Sequence, residues 1–320
     1  MRIRALCLVK NESDVIDACL TAAADWCDRI YVYDNGSTDG TWEQVNELAR
    51  SVPEIVPFMQ ADKPFNDGLR AEIFNHYKAD CTNDDWWCLL GADEFYIDDP
   101  RVFLAKVPRQ QGVVVTATFS YYFTDKDAAL YEGDPSRFAD SVPVFDRCSY
   151  YLNHWSETRF FRHTHDLTWT GGYFPPKISE WQSYPIRIWV KNYSYRSPSQ
   201  IEKRLATRRP AISAGQFTHE AVPNWAIYID PEMIAKHPQR GIDKWDPRYA
   251  ANSWRERVVD ASKLDYDAGD RKLVVREDLM PPMPHRSFRW LRARLGHNNT
   301  MRRAVMAYRT RAHRILHTSE

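Results

Sequence analysis

Short apolar runs alternate with polar breaks along the first hundred residues, and the runs switch between two spacings. Residues 3–9 form a continuous apolar run of strand length. In residues 14–27, Val15, Ile16, Cys19, Leu20 and Ala23 recur at helical spacing. Residues 30–33 predict a second short strand, broken by Asp34-Asn35-Gly36-Ser37. Residues 41–50 predict a helix with Trp42, Val45, Leu48 and Ala49 on one face, and Asp39 is placed to cap its start. Residues 55–59 predict a third strand, 69–78 a helix and 86–90 a fourth strand.

Strands that alternate with helices imply βαβ units and a parallel sheet covered on both faces. In such sheets ligands bind beyond the carboxyl ends of the strands. Here those ends carry Lys10-Asn11-Glu12, Asp34-Asn35, Gln60-Ala61-Asp62 and Gly91-Ala92-Asp93-Glu94. Each strand thus delivers polar or acidic groups to one rim, which marks the rim as a candidate site.

The pattern then changes. Residues 112–123 form a long β-type run, followed by aromatic-rich segments around Tyr150-Tyr151, His154-Trp155, Trp169, Tyr173-Phe174 and Trp181. Ser197-Pro198-Ser199-Gln200 opens a helix as a capping box with proline at the first helical position. Pro281-Pro282-Met283-Pro284 leads into a basic tail.

Composition narrows the function classes. The 320 residues carry zero formal net charge, yet residues 285–320 hold nine arginines against Glu320 alone. The tail is therefore strongly basic and the body acidic, which argues against nucleic acid as a partner of the body. No stretch approaches the roughly 18–20 apolar residues of a membrane span, and the N-terminal run reads as a buried strand rather than a signal peptide. The six cysteines form no C-x-x-C pair and read as reduced thiols packed as small apolar residues, as in a cytoplasmic chain. The tail's interleaved Phe288, Trp290, Leu291 and arginines suit either peripheral contact with an anionic membrane through residues 285–317 or packing on the acidic body.

No Gly-rich phosphate loop is present, neither G-x-x-x-x-G-K-[ST] nor G-x-G-x-x-G. A phosphate-bearing ligand at this rim calls for a divalent cation, Mn²⁺ or Mg²⁺, on Asp93.

Val9-Lys10-Asn11-Glu12, Asp34-Asn35-Gly36-Ser37-Thr38-Asp39-Gly40-Thr41, and Asp85-Trp86-Trp87 leading to Ala92-Asp93-Glu94-Phe95 together resemble a family 2 glycosyltransferase. The likeness is to the bacterial branch whose strand ends in Asp-x-Asp-Glu-Phe. It covers roughly residues 1–100 and continues loosely through residues 156–162 and 193–200. It implies an α/β, GT-A (Rossmann-like) fold with a mostly parallel central sheet flanked by helices and a C-terminal helical extension. Residues 1–110 would form the nucleotide-sugar half, 111–280 the acceptor half and 281–320 the basic tail. The implied activity is metal-assisted, inverting transfer from a nucleotide-diphosphate sugar, UDP-linked by preference, to a glycan or lipid-linked acceptor.

The resemblance also implies roles. Asp34 and Glu12 would contact the nucleoside, Asp39 would hold the same loop, Arg70 would lie near ribose or phosphate, and Asp93 would touch the metal. Two departures stand out: Gly91 replaces the first acid of the metal motif, and Asn192 stands where relatives carry a histidine, with His219 as a possible substitute ligand. For the catalytic base the candidates are Asp166, Glu157 and Glu180, with Asp166 ranked first because it lies between histidines and Trp169. A catalytically impaired nucleotide-sugar-binding or scaffold protein is the alternative that Gly91 and Asn192 motivate.

Overall fold

The computed structural model describes residues 1–213, 215, 224–228 and 259–260. The chain divides into two compact units. His219, the basic tail and its expected membrane contact lie outside the described residues.

The first unit contains Met1–Ser120 and His154–Tyr193. Its elements are β1 (Ile3–Val9), α1 (Ile16–Ala24), β2 (Arg29–Asp34), α2 (Thr41–Ser51), β3 (Ile55–Gln60), α3 (Arg70–Tyr77), β4 (Trp86–Gly91), β5 (Glu94–Tyr96), α4 (Pro100–Leu104) and β6 (Gln111–Tyr122). After β6 come α5 (Asp125–Gly133), α6 (Val144–Arg147), β7 (Tyr150–Trp155), β8 (Thr158–Arg162), β9 (Gln182–Ser183), β10 (Ile188–Tyr195), α7 (Pro198–Ser213) and β11 (Val259–Asp260).

Four parallel strands lie in the order β3-β2-β1-β4. The central strand β1 is buried along its whole length, as expected of a parallel strand covered on both faces. Its side chains alternate between two cores, because successive residues of a strand point to opposite faces. Ile3, Ala5, Cys7 and Val9 join Ile16, Leu20 and Val45 on one face. Leu6 and Leu8 join Leu69, Ile73 and Phe74 on the other. Trp86 and Trp87 split between the cores in the same way, both fully buried. Truncating either to alanine would cost about 3–5 kcal/mol. The α/β fold expected from the alternating periods is the fold found.

Beyond β4 the sheet reverses direction. Strand β8 pairs antiparallel with β4, and β6 pairs antiparallel with β8. Strand β5 pairs antiparallel with β10, Glu94 opposite Asn192. These reversals decide which later residues reach the rim: the start of β8 lies beside the carboxyl end of β4, and its end beside the start of β4.

The second unit contains Tyr121–Asn153 and the chain from Ser194. Phe123, Phe138, Ile201 and Leu205 form its small described core. The capping box at α7 is present in modified form. Gln200 N–H donates to Ser197 Oγ at 3.2 Å, but the Gln200 side chain accepts from Arg196 N–H, one residue earlier than the motif predicts.

All six cysteines are buried free thiols. Among the described residues, no helix is long and apolar enough to cross a membrane.

Candidate functional site

Strand register sets the rim: Val9 pairs with Asp34, Asp34 with Gln60, and Leu8 with Gly91. Asp34 is fully buried at the end of β2. Its Oδ1 accepts from Ser37 N–H at 2.7 Å and from Gln60 Nε2 at 3.4 Å. Its Oδ2 is buried with no hydrogen-bond partner, as is Asn35 Oδ1. The Asn35 amide nitrogen is used, donating to the carbonyls of Ala61 (3.2 Å) and Lys63 (2.7 Å).

The loops after β1 and β2 are laced together. Asn11 adopts a positive φ of 56°, a conformation that asparagine tolerates better than most residues. Its N–H donates to Ser37 Oγ, and its Oδ1 accepts from Thr38 N–H, both at 2.9 Å. Glu12 N–H donates to Thr41 Oγ1. Asp39 accepts from Ser13 N–H, Thr41 N–H and the Thr41 hydroxyl. The structure corrects the expected capping: Gly40, at φ 93°, holds the N-cap position of α2, and no side chain caps it. Asp39 lies one residue earlier and joins the two loops. Burial works to raise its pKa, but the bonds from Thr41 and Ser13 outweigh it and hold the carboxyl below its ordinary value.

Arg70 opens α3 and is buried. Its Nε reaches the Leu6 carbonyl at 3.4 Å, and a terminal nitrogen pairs with Asp67 at 3.2 Å. Cys7 reports how the predicted residues converge. Burial pushes its thiol up to about 12; the Arg70 charge opposes that rise, while Glu94, Asp93 and Glu12 add to it. Four side chains from three chain segments thus act on one atom near the end of β1.

Asp93 lies in the short turn between β4 and β5 and is 9% exposed. Its Oδ1 accepts from Asn192 Nδ2 at 3.0 Å, and its carbonyl accepts from Tyr193 N–H at 3.0 Å. Asn192 therefore touches the candidate metal carboxylate directly.

The replacement of the first acid by Gly91 has a steric counterpart. A Cβ at Gly91 would meet Glu94 Cδ at 2.8 Å and Cγ at 2.9 Å. The Glu94 side chain folds back over Gly91 and accepts its N–H at 2.9 Å. Arg159 at the start of β8 donates to Glu94 Oε1 through Nε (3.0 Å) and a terminal nitrogen (2.5 Å). That same nitrogen is 2.9 Å from Glu157 Oε2. Tyr173 hydroxyl accepts from Arg159 and donates to Glu157 Oε2, the latter at 3.0 Å. Burial pushes the Glu94 carboxyl up, Arg159 pulls it back, and neighbouring Asp93 adds to the rise. Burial also opposes the Arg159 charge, but Glu94, Tyr173 and Glu157 hold its pKa well above the ordinary arginine value.

Among the described residues, no group of three or more His, Cys, Asp or Glu side chains could hold a metal ion. The donor set therefore does not fit a dedicated protein cage. It does fit a hard cation shared with phosphate oxygens, which needs only one or two protein carboxylates. Arg159 pairs with both Glu94 and Glu157, and Asp93 directly precedes Glu94 in the chain.

The three candidate bases separate. Glu157 precedes β8 and lies at the rim. Asp166 and Glu180 do not join it. The segment leading to Asp166 is tied to the start of β4, His163 N–H donating to the Asp85 carbonyl at 2.8 Å. Asp166 itself is exposed, bonded to Thr164 hydroxyl and ion-paired with Lys177. Glu180 is exposed just before β9, which pairs with the first residues of β6 at that same edge. Sequence reasoning passed over Arg159, although a charged residue beside the buried Phe160 and Phe161 in a short strand needs a partner and so points to one.

The rim is thus a carboxylate-rich edge of an α/β sheet. Residues 7–132 match the model of Glycosyl transferase family 2. No curated protein sequence matches the chain. Several solved structures resemble it weakly. One is the mannosyltransferase PcManGT from Pyrobaculum calidifontis in complex with GDP-Man and Mn2+, with 13% identity, 79% of this chain and 76% of that one covered, and a TM-score of 0.37. A second is S. aureus TarS 1-349, with 16% identity, 39% and 36% covered, and a TM-score of 0.25. A third is glucosyl-3-phosphoglycerate synthase from Mycobacterium tuberculosis in complex with phosphoglyceric acid, with 16% identity, 50% and 56% covered, and a TM-score of 0.23. At these scores the likeness adds nothing to the fold or chemistry described above.

Proposed function

We propose that this chain transfers a sugar from a nucleotide-diphosphate donor, UDP-linked by preference, to a hydroxyl of a glycan or lipid-linked acceptor, with inversion. The observation that carries the reading is Asp34, fully buried at the strand end with Oδ2 lacking a partner. An unsatisfied buried carboxylate oxygen costs at least about 1–3 kcal/mol. A nucleobase N–H would satisfy it, and the β1 and β2 loops laced around it suit a fixed base subsite.

Asp93, with Asn192 beside it, would hold a Mn²⁺ or Mg²⁺ ion, and such an ion supplies charge stabilisation for a departing diphosphate. Glu157 is the carboxylate best situated to take the acceptor proton. In the reaction the acceptor oxygen bonds to the anomeric carbon, the carbon–oxygen bond to the diphosphate breaks, and the proton passes to Glu157. Arg70, bonded to the Leu6 carbonyl of β1, and Glu12, three residues past its end, would face the ribose and phosphates.

Titration with UDP, GDP and dTDP, with and without Mn²⁺, tests the reading. Asp34→Asn should weaken nucleotide binding by about 10-fold or more, in keeping with a lost charge-assisted bond. Asp93→Ala should remove the Mn²⁺-dependent part only. Nucleotide binding by the wild type without turnover of any sugar donor would favour a binding or scaffold role instead.

A further inference from the structure

The contact between β5 and β8 goes beyond the functional reading, on which it depends. We propose that Arg159 is a positioning residue that ties the Asp93 turn to the strand end carrying Glu157, through one guanidinium shared by Glu94 and Glu157.

Glu94 follows Asp93 directly, and its carboxylate is anchored twice: to Gly91 N–H on one side and to Arg159 on the other. The turn that presents Asp93 is therefore held at its base by Arg159. The guanidinium also contacts Glu157 and, through the Tyr173 hydroxyl, contacts it a second time. Glu157 is fixed to β6 by its backbone as well, with Thr116 N–H donating to its carbonyl at 2.9 Å and its own N–H donating to Thr116 Oγ1 at 3.2 Å. The planar guanidinium fork has fixed donor directions, so it sets the distance and angle between the two carboxylates as lysine could not. Its side chain is 14% exposed against 2% for Glu94, so water competes weakly for these bonds.

The turn that carries Asp93 and the strand end that carries Glu157 are thus referenced to a single rigid group. Loss of that reference should misplace the two halves of the reaction while leaving the nucleoside subsite at Asp34 intact. Misplacement on the ångström scale costs roughly 100-fold in rate.

The experiment compares wild type, Arg159→Met, Arg159→Lys and Tyr173→Phe. Thermal melting checks folding, titration with UDP in the absence of Mn²⁺ gives Kd for the nucleoside subsite, and steady-state donor turnover gives kcat and KM. Arg159→Met should keep Kd and KM within about threefold and lower kcat by about 100-fold. Arg159→Lys should recover part of that loss, and Tyr173→Phe should lower kcat by about tenfold with Kd unchanged. If Arg159→Met fails to fold, Tyr173→Phe and Arg159→Lys decide: wild-type kcat in both overturns the proposal. A folded Arg159→Met with normal kcat also overturns it. Wild-type protein that binds no nucleotide removes the functional reading and this proposal with it, an outcome visible before any variant is made.

Discussion

Replacing Gly91 with alanine probes the site where the chain departs from the expected metal motif. Gly91 has no positive φ, so alanine faces no backbone obstacle there. In an ordinary strand Gly→Ala stabilises by about 0.5–1 kcal/mol, because the unfolded chain loses freedom. Here the added Cβ would lie 2.8 Å from Glu94 Cδ, 2.9 Å from Cγ and 3.0 Å from Oε2, closer than packed atoms tolerate. Two relaxations are open. A small shift of the turn is an overpacking change, costing about 1–3 kcal/mol. Expelling the Glu94 carboxylate breaks the Gly91 N–H bond and strips Arg159 of a buried partner, which costs about 3–5 kcal/mol.

Gly91→Ala should therefore destabilise by roughly 1–5 kcal/mol, opposite in sign to the backbone expectation. Urea denaturation of the single variant measures the sign, and a double-mutant cycle with Glu94→Ala isolates the cause. With the Glu94 side chain gone, Gly91→Ala should become neutral or stabilising, a coupling of about 1–3 kcal/mol for residues in contact. A neutral Gly91→Ala in the wild-type background, or an equal cost in both backgrounds, would refute the steric account. The same geometry predicts that Gly91→Asp will not add a useful ligand. The new carboxylate would compete with Glu94 for one space.

Two further predictions concern the opposite edge of the sheet. His163 is buried, accepts at Nδ1 from Trp87 Nε1 at 3.2 Å, and has no hydrogen-bond partner for Nε2. Burial first, then the nearby His165, lowers its pKa from 6.5 to about 4. The folded value lies below the unfolded one, so this contribution is complete above pH 6.5 and is lost as pH falls toward 4. Urea midpoints should show about 2 kcal/mol lost between pH 7 and pH 5, and a smaller loss in His163→Asn. Asp85, despite burial, is held below the usual carboxylate range by N–H bonds from Thr82 and Arg2 and by the Arg4 and Arg2 side chains. Its contribution is present above the unfolded carboxylate value and disappears as pH falls below it. Asp85→Ala, which leaves buried Arg4 without its carboxylate, should cost about 3–5 kcal/mol in a denaturation measured at pH 7.

What could be read from sequence follows the reach of each signal. Strand β1 and helix α1 were legible because their signal is local: alternate side chains of β1 feed two cores, and Ile16, Cys19, Leu20 and Ala23 line one helical stripe. Asp34 was legible because parallel strands put their carboxyl ends on one edge, so position in the chain implied position in space. That inference stops after β4, where the sheet reverses. The reversal at β8 exchanges the ends, sending Glu157 to the rim and the segment of Asp166 to the far edge, although only nine positions separate them. Nearness to histidines and Trp169 ranked Asp166 first, yet those residues serve the opposite edge and its core. Arg159 was hidden for the same reason, since it meets the Asp93–Glu94 turn across a reversal with no local pattern in the chain; Asn192 stood out only through the family resemblance, and its contact with Asp93 crosses the β5–β10 pairing. Gly91 is the intermediate case. Its lack of a carboxylate was visible, but it read as a lost ligand, whereas the space is filled by the Glu94 carboxylate, three residues on. A missing acid beside a buried acid–arginine pair is therefore better read as a rearranged turn than as a weakened one, and the Gly91–Glu94 cycle distinguishes the two.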